Sequence, residues 1–471
     1  MTWDPDRDQT PPSAASPLSA RGGPADPSGN EHLNSVIVRL ALPALGALLV
    51  EPLYNLTDSA IVGHLGRSQL AGLALAAGVL NLVWWTTGFL GQVTLTRVAH
   101  GVGSGDRQSA SRTVAAAYLL ALVLGILGSV LVASFAAPAT AVLGGKGAVA
   151  AYSVRYLRIA ALGVTPLMLS LAGTGHQNGL GRTRRTFEIA LTANALNVAL
   201  EVLLVYGAHF GIAGSAWGTV AAQVVAAAGF LVSSLRSTIR PMKPRLADVR
   251  RLVADGVPLT VRTLALDAAL LASTAVAARL GASSLAAQQV VLQVWILLAL
   301  AVDCLAVAAQ VMIGEATGRG DRSGVMSMGK RLLFMAVVAG SGCGVVTLAT
   351  ANWLPWVFTS NYWVASGATR ALYVCGAQQP IAALAFVLDG LLLGAGQYRA
   401  LSRAMIGALL TFAPAAAVVL IFPQLGIIGV WLALSIWVGY RAASLFRCWR
   451  RYLSRLRETT GPALGATVLR G

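Results

Sequence analysis

Residues 115–137 read AAAYLLALVLGILGSVLVASFAA, a run of 23 residues that contains no charged side chain. As an α-helix this run would be about 35 Å long, which is enough to cross a hydrocarbon core of about 30 Å. The run is apolar on every face, whereas a strand of a membrane barrel would alternate apolar and polar residues over about ten positions. The stretch therefore predicts a membrane-spanning helix and excludes a β-barrel.

Comparable runs recur along the chain, which has 56% hydrophobic residues, 11% charged residues and a mean hydropathy of +0.69. Soluble domains carry about 25% charged residues. The composition thus predicts an all-α polytopic membrane protein. We place twelve spans, at roughly 36–64, 70–97, 111–135, 148–176, 187–206, 211–236, 251–279, 286–313, 329–352, 368–395, 401–421 and 426–445.

Basic residues concentrate in every second connection between these spans. They lie in the segments 97–112, 182–185, 236–251, 319–331 and 399–403. Because loops rich in Lys and Arg stay in the cytoplasm, both termini are predicted to be cytoplasmic, in a multi-pass protein of the inner (plasma) membrane. The same topogenic charge accounts for the net charge of +17, so we expect no nucleic-acid partner.

Composition and charge also divide the chain into five segments. We predict a disordered cytoplasmic tail, a first lobe, a basic cytoplasmic linker, a second lobe and a basic cytoplasmic tail, at 1–33, 34–236, 237–250, 251–447 and 448–471. The first segment is rich in Pro, Ser, Asp and Gly and lacks an apolar core. The linker contains Pro241 and Pro244 in a basic stretch, which is typical of a connection rather than a span.

A shift of 215 residues aligns the two halves of the chain without an insertion. The loop GVGSGDR at 101–107 then meets ATGRGDR at 316–322, and Pro43 meets Pro258. The matches fall in loops and at helix ends, not on the Leu and Ala that any two apolar sequences share. Six repeated spans per half predict two six-helix lobes related by a pseudo-twofold axis along the membrane normal, with a cavity between them. This architecture is typical of a transporter.

Ionisable residues inside the spans are the first candidates for function, because a charge near the bilayer centre costs about 2.5–3.5 kcal/mol. In the first half these are Glu51 and Asp58 on the first span and Glu201 on the fifth. Counted from the outer helix ends, Asp58 and Glu201 lie at a similar depth, and Asn197 and Thr219 lie close to it. The four side chains can therefore converge.

Such a convergence would form an oxygen-rich site. Asn197 lies four residues before Glu201, and Tyr54 lies four residues before Asp58, so each pair shares one helix face. Two carboxylates with an amide and a hydroxyl suit a hard monovalent cation or the sharing of a proton. The alternative is structural, with Asp58 capping a helical turn and Asn197 with Glu201 clamping two helices together.

The second half contains a polar cluster of its own. Its candidates are Arg262 and Asp267 on the seventh span, Asp303 on the eighth and Asp389 on the tenth. We take Arg262 as the only deep arginine and expect it to pair with Asp303 or Asp389, because a lone guanidinium is poorly tolerated at that depth. The cluster is either a structural ion pair or a second coupling site.

Several segments resemble the multidrug and toxic compound extrusion (MATE) family, and within it the DinF-like branch. They are LALPALGALLVEPLYNLTDSAIVGHLG at 40–66, NALNVALEVLLVYG at 194–207, FGIAGSAWGTVAA at 210–222, LAVAAQVMIGEATGRGD at 305–321 and FVLDGLLLGAG at 386–396. The resemblance covers roughly residues 36–445. It implies a cation-coupled antiporter that exports amphipathic, often cationic compounds while H⁺ or Na⁺ enters.

The resemblance also implies residue roles. The family's first-lobe cation site falls on Asp58, Tyr54, Asn197, Glu201 and Thr219 of this sequence. Relatives commonly carry Asp where this chain has Glu201, whose side chain is one methylene longer. Pro43 matches a proline at which the family's first helix bends, and proline weakens a helix there by removing one hydrogen bond.

We therefore predict a secondary active antiporter for small amphipathic molecules, working as a monomer in the lipid bilayer. We expect no cofactor beyond the coupling ion, no metal site and no catalytic residue, since the four cysteines lack metal-like spacing and the five histidines lie at span ends or in the tail. These features argue against an intramembrane enzyme. The other alternative is a flippase of a lipid-linked precursor, which would favour a cavity with several arginines.

Overall fold

The computed structural model describes residues 27–458, without the side chains of residues 27–30 and of Glu51. Twelve helices in this part of the chain are long and apolar enough to span a bilayer, as predicted. The first lobe contains α1 (Pro27–Gly63), α2 (Arg67–Thr87), α3 (Phe89–Gly103), α4 (Arg107–Val142), α5 (Gly147–Gly179), α6 (Thr183–Val202) and α7 (Ile212–Leu235). The second contains α8 (Leu246–Arg279), α9 (Ala282–Gly318), α10 (Arg322–Thr350), the short α11 (Leu354–Phe358), α12 (Tyr362–Gly394), α13 (Tyr398–Ile421) and α14 (Gly426–Glu458). Helices α2 and α3 form one span that is interrupted at Gly88.

The helix starts confirm the repeat and its offset of 215. Helices α2, α4, α5 and α6 begin at residues 67, 107, 147 and 183, and α9, α10, α12 and α13 begin at residues 282, 322, 362 and 398. The two lobes therefore share one helix order and one orientation. This repeat of helix starts confirms the predicted pseudo-twofold architecture.

Matching turn residues explain why the helices begin at matching positions. Asp106 accepts a hydrogen bond from the backbone N–H of Ser109, and its counterpart Asp321 accepts one from Gly324, both at 2.8 Å. These are helix N-caps, which satisfy backbone donors that the first turn leaves free. Just before each cap, Gly105 and Gly320 adopt φ values of +73° and +69°, a region that favours glycine.

Buried apolar residues form one large core on one side of the membrane and two separate cores on the other. The side that carries both described chain ends is called here the terminal side. Its core combines residues of both lobes, such as Leu40 and Leu90 with Met312 and Leu388. On the opposite side each lobe has a core of its own, one around Tyr156 and one built only from the second lobe. The lobes are thus closed together on the terminal side.

Three predicted segment boundaries are corrected by the structure. Helix α1 begins at Pro27, inside the tail predicted for 1–33, and Leu33 packs against the terminal-side core. Helix α14 continues to Glu458, inside the tail predicted for 448–471. Trp449 is buried and Leu456 packs on the same core, so this extension is an amphipathic helix with one covered face. Residues 1–26 and 459–471 lie outside the described part.

The predicted linker at 237–250 is also shorter than expected, because α8 already begins at Leu246. The remaining connection lies against the first lobe. Ile239 is only 3% exposed and belongs to a small core with Val98 and Val114. The backbone N–H of Met242 donates to the carbonyl of Ser111 at 3.3 Å. The linker is therefore packed, and its basic side chains surround one buried apolar anchor.

We expect Gly105→Ala to lower the free energy of unfolding by about 1 kcal/mol, because a Cβ atom disfavours positive φ. No atom lies within 4 Å of the position that this Cβ would take, so the cost is conformational and not steric. Gly342→Ala is the matched control: this glycine is helical, its surroundings are equally open, and alanine favours helix there. Thermal unfolding in detergent measures both, and equal melting temperatures would contradict the argument.

Candidate functional site

The polar residues predicted in the first lobe converge between α1, α6 and α7. Ser215 donates its hydroxyl to Oδ1 of Asp58 at 2.6 Å, and the hydroxyls of Tyr54 and Thr219 are 2.8 Å apart. The carboxyl group of Glu201 lies near that of Asp58 and interacts with it electrostatically. Two acids from two helices thus occupy one buried position.

Several oxygen atoms of this site have no donor among the described residues. They are both carboxylate oxygens of Glu201 and Oδ1 of Asn197. Glu201 is fully buried and Asn197 is 2% exposed, so water does not satisfy these atoms at the protein surface. The nearby Ser215 hydroxyl is already directed to Asp58. Buried oxygen atoms without hydrogen-bond donors are suitable ligands for a bound cation, and they can also share a proton.

Small residues bring the helices close enough for this contact. Gly218 lies against the backbone of Glu201, where an added Cβ would be 3.2 Å from the nitrogen atom, and a Cβ at Gly214 would be 2.9 Å from the carbonyl carbon of Leu204. Glycines spaced four apart allow such backbone approach between membrane helices. Directly after Glu201 the chain forms a π-helical turn at Leu203–Gly207, a feature often found at functional sites.

Two residues of the site escaped the sequence analysis. Ser215 lies one turn before Thr219, so the four-residue spacing already applied to Asn197 and Glu201 could have found it. Tyr156 on α5 is 3% exposed and lies near Ser215 and Thr219. Helix α5 is thus the fourth helix that lines the site, and no pattern in the sequence indicates that it does so.

Two further predicted residues are less informative. The side chain of Glu51 lies outside the described part of the structure. Pro43 lies inside α1, which continues without a break through Pro43 and Pro52. A hinge at Pro43 therefore stays a prediction.

The second lobe has no equivalent of this polar site. The offset of 215 relates the seven site residues to Ala269, Ser273, Ala371, Phe412, Ala416, Val430 and Leu434. All of these except Ser273 belong to the separate apolar core of the second lobe. The same scaffold thus holds a polar site in one lobe and an apolar core in the other.

The charged cluster predicted in the second lobe is present and is centred on Asp389. Its Oδ2 atom accepts a hydrogen bond from Arg262 at 2.7 Å, as expected, and forms an ion pair with Arg441. The guanidinium of Arg441 also lies over the ring of Phe386, 4.7 Å from its centroid. Asp303 and Asp267 lie near Arg262 without entering these two ion pairs. The pairs join α8, α12 and α14.

The prediction that Arg262 is the only deep arginine is wrong. Arg441 lies on α14 and is 1% exposed. It was overlooked because it comes near the end of the last predicted span, where arginines are usually topogenic. Helix α14 continues past that point, so Arg441 lies within the bundle. Both arginines are bound to Asp389, however, and do not provide the open cationic cavity that a flippase would favour.

A cavity of about 400 Å³, open to the surface, lies between the lobes, within the size range of small-molecule sites, about 300–1,000 Å³. Helices α2 to α4 form one wall, with Phe89 at the break, and α8 forms the other, with Val257 and Val261. The threonine hydroxyls at its edge donate to backbone carbonyls, as Thr260 does to Thr86 at 3.3 Å. The cavity is therefore lined mainly by apolar atoms.

Twelve spanning helices in two repeated lobes, with a buried acidic site in one lobe and a cavity between them, define a membrane transporter. The MatE family profile matches residues 43–203 and 258–424, more than half of the chain. The chain belongs to this family, which confirms the resemblance drawn from its motifs.

Individual relatives agree with this assignment. The chain is 28% identical to DNA damage-inducible protein F of Escherichia coli, over 88% of this chain and 91% of the relative. It is 29% identical to a probable multidrug resistance protein NorM of Rhizobium meliloti, over 90% and 94%. It is 27% identical to the chloroplastic protein DETOXIFICATION 44 of Arabidopsis thaliana, over 96% and 89%. With its membership of the MatE family, the chain is a MATE transporter and not an enzyme.

Solved structures support the fold. A crystal structure of MATE in the bent conformation superposes with a TM-score of 0.85 at 21% identity, covering 91% of this chain and 97% of that one. A MOP superfamily transporter from Pyrococcus furiosus, whose pocket is described as having reverse polarity, gives 0.84 at 20% identity, covering 90% and 97%.

Removing the charge of Asp389 should destabilise the protein strongly. Asp389→Asn leaves two buried guanidinium groups without a counter-charge, which costs about 3–5 kcal/mol. The matched control is Glu188→Gln, which removes an exposed acid paired with Arg184 and Arg185 and should cost less than about 1 kcal/mol. Thermal unfolding and size-exclusion profiles in detergent measure the difference. A melting temperature of Asp389→Asn equal to that of the control would show that the cluster does not hold the lobe together.

Proposed function

We propose that this chain is a secondary active antiporter that exports amphipathic, cationic compounds in exchange for H⁺ or Na⁺. The observation that carries the proposal is that Asp58 and Glu201, two buried acids, lie near one another where none of the described residues provides a basic partner. Two adjacent carboxylates cannot both remain charged in such a place without a proton or a cation between them. A site that must hold a cation can exchange it when the site is exposed to either side.

Each residue then has a defined role. Asp58 and Glu201 bind the ion, Asn197 adds an amide oxygen, and the pair formed by Tyr54 and Thr219 connects α1 to α7. Ser215 keeps Asp58 oriented toward Glu201. Protonation of Asp58, or loss of the ion, would change the contacts that hold α1 against α7 and so link ion binding to helix packing.

The apolar cavity between the lobes supports the substrate class. Its walls suit the hydrophobic part of an amphipathic molecule, and the acidic site in the first lobe favours a positive charge. Separate cores on the opposite side and a shared core on the terminal side are what one end state of alternating access requires. Transport then needs a second state in which the terminal side opens.

The proposal includes the orientation and the working unit. Basic side chains crowd the terminal side, in the linker and along the exposed face of α14, which supports a cytoplasmic location for both termini in the inner membrane. The same topogenic role accounts for the positive charge without a nucleic-acid partner. Each chain contains both lobes, the ion site and the cavity, so a monomer is sufficient for transport.

The test is transport in proteoliposomes with proton and sodium gradients imposed independently. Asp58→Asn preserves size and hydrogen bonding but removes the charge, so we expect a folded variant that loses gradient-driven export of an amphipathic cation such as ethidium. Asn197→Ala removes a ligand and no titrating group, and export should fall less. The gradient that drives the parent protein identifies the coupling ion.

The control for this test is Glu188→Gln, which removes an exposed acid of the same lobe and should export at the parental rate. Export by folded Asp58→Asn at the parental rate would refute the site. Coupling would then have to be sought in the second lobe, beginning with Asp267 and Asp303.

A further inference from the structure

On the terminal side the two lobes meet through α3 and α9, which the repeat makes equivalent. Gly103 of α3 lies against the backbone of Glu315, and Gly318 of α9 lies against the backbone of His100. Added Cβ atoms would come within 2.0 Å and 2.2 Å of the two carbonyl oxygens. The offset of 215 relates 103 to 318 and 100 to 315, so the contact is reciprocal about the pseudo-twofold axis.

Polar contacts reinforce this crossing. The amide of Gln310 donates to the carbonyl of Gln92 and to the hydroxyl of Thr96, both at 2.8 Å. The His100 ring is hydrogen-bonded to the carbonyl of Gly394 at 2.7 Å. Each of these bonds joins one lobe to the other and holds α3 against α9 or α12.

Two further interfaces between the lobes, called seams here, lie on either side of the contact between α3 and α9. The repeat relates one seam to the other. In the seam between α3 and α8, Arg97 Nε donates to Asp255 Oδ2 at 2.8 Å, and the two side chains are 30% and 25% exposed. In the seam between α1 and α9, the equivalent residues are Met312 and Leu40, which are 0% and 5% exposed and belong to the shared core. The same pair of repeat positions thus holds an ion pair between α3 and α8 and an apolar pair between α1 and α9.

These two seams differ in what separation costs. Pulling apart the apolar seam exposes hydrophobic surface to water, and that loss is not recovered. Pulling apart a half-exposed ion pair allows both charges to be rehydrated, so its net contribution to closure is small. The seam between α3 and α8 is therefore the easier one to open.

The cavity lies along the easier seam. Its walls are α2 to α4 on one side and α8 on the other, and Phe89 stands against Gly256, next to Asp255. The cavity thus borders both helices that the ion pair joins. Opening there would connect the cavity to the terminal side.

We propose that the seam between α3 and α8 is the gate of the terminal side, and that the Arg97–Asp255 pair is its releasable closure. The seam between α1 and α9 stays packed while the gate opens, and the cavity behind the gate receives the apolar part of an amphipathic substrate. This inference rests on the proposed alternating access, but its test does not depend on ion coupling.

Spin-label distances in lipid nanodiscs test the gate directly. One pair of labels, at Gln108 and Ala247, reports on the gate, and the equivalent pair at Ser323 and His32 reports on the packed seam; all four residues are exposed. The four native cysteines are replaced by alanine in both. Asp255→Asn should raise the long-distance population of the first pair about threefold, the effect of roughly 0.65 kcal/mol, and leave the second pair unchanged. Glu188→Gln should change neither.

We expect a second variant, a double substitution, to have the opposite effect on the distance between the labels at the gate. Arg97→Met with Asp255→Leu transfers the apolar residues of the packed seam to the gate, so the long-distance population should disappear and transport should slow at least about tenfold. The charge exchange Arg97→Asp with Asp255→Arg should restore parental distances.

The proposal is overturned if Asp255→Asn matches Glu188→Gln, or if both label pairs lengthen together. If Asp255→Asn does not fold, the double variant Arg97→Met with Asp255→Leu tests the proposal instead. Transport by this double variant at the parental rate would contradict the proposed gate. Failure of the proposed antiport would appear separately, as undiminished export by Asp58→Asn.

Discussion

The hydrocarbon core of the bilayer provides no hydrogen-bond partners, and this constraint shapes every polar feature of the protein. Backbone groups are satisfied inside helices, which leaves side chains as the variable part. Threonine and serine hydroxyls mostly donate to carbonyls of their own helix, as Thr140 does to Ala136 at 2.7 Å. An ionisable group has no such local solution and must find a partner on another helix or bind an ion.

The two lobes meet this requirement in different ways. In the second lobe Arg262 and Arg441 enclose Asp389, so opposite charges compensate one another within the bundle. In the first lobe Asp58 and Glu201 are both acidic, and none of the described residues forms an ion pair with either. A compensated cluster stabilises three helices against each other, whereas an uncompensated one makes stability depend on an ion. We therefore propose that exchange with an external ion is a task for the first lobe.

A repeated scaffold makes this division visible, because equivalent positions can be compared directly. Glycines at matching turns and aspartates at matching caps preserve the helix order in both lobes. At most other positions packing requires only apolar residues. Polar residues of one lobe can therefore be replaced by apolar residues at the equivalent positions of the other lobe, at little cost in stability. Asymmetry of function can arise in this way without asymmetry of architecture.

The sequence by itself determined the number of spans, the repeat offset and the depth of most ionisable residues, Arg441 excepted, because hydropathy, turn residues and helical rise are local properties. It also identified most of the first-lobe site, since Asn197 with Glu201 and Tyr54 with Asp58 follow helical spacing. Only the tertiary structure placed Tyr156 beside them, brought Arg441 to Asp389 and joined Arg97 to Asp255. Each of these contacts depends on which helix faces reach each other across the bundle, and no local pattern in the chain encodes that.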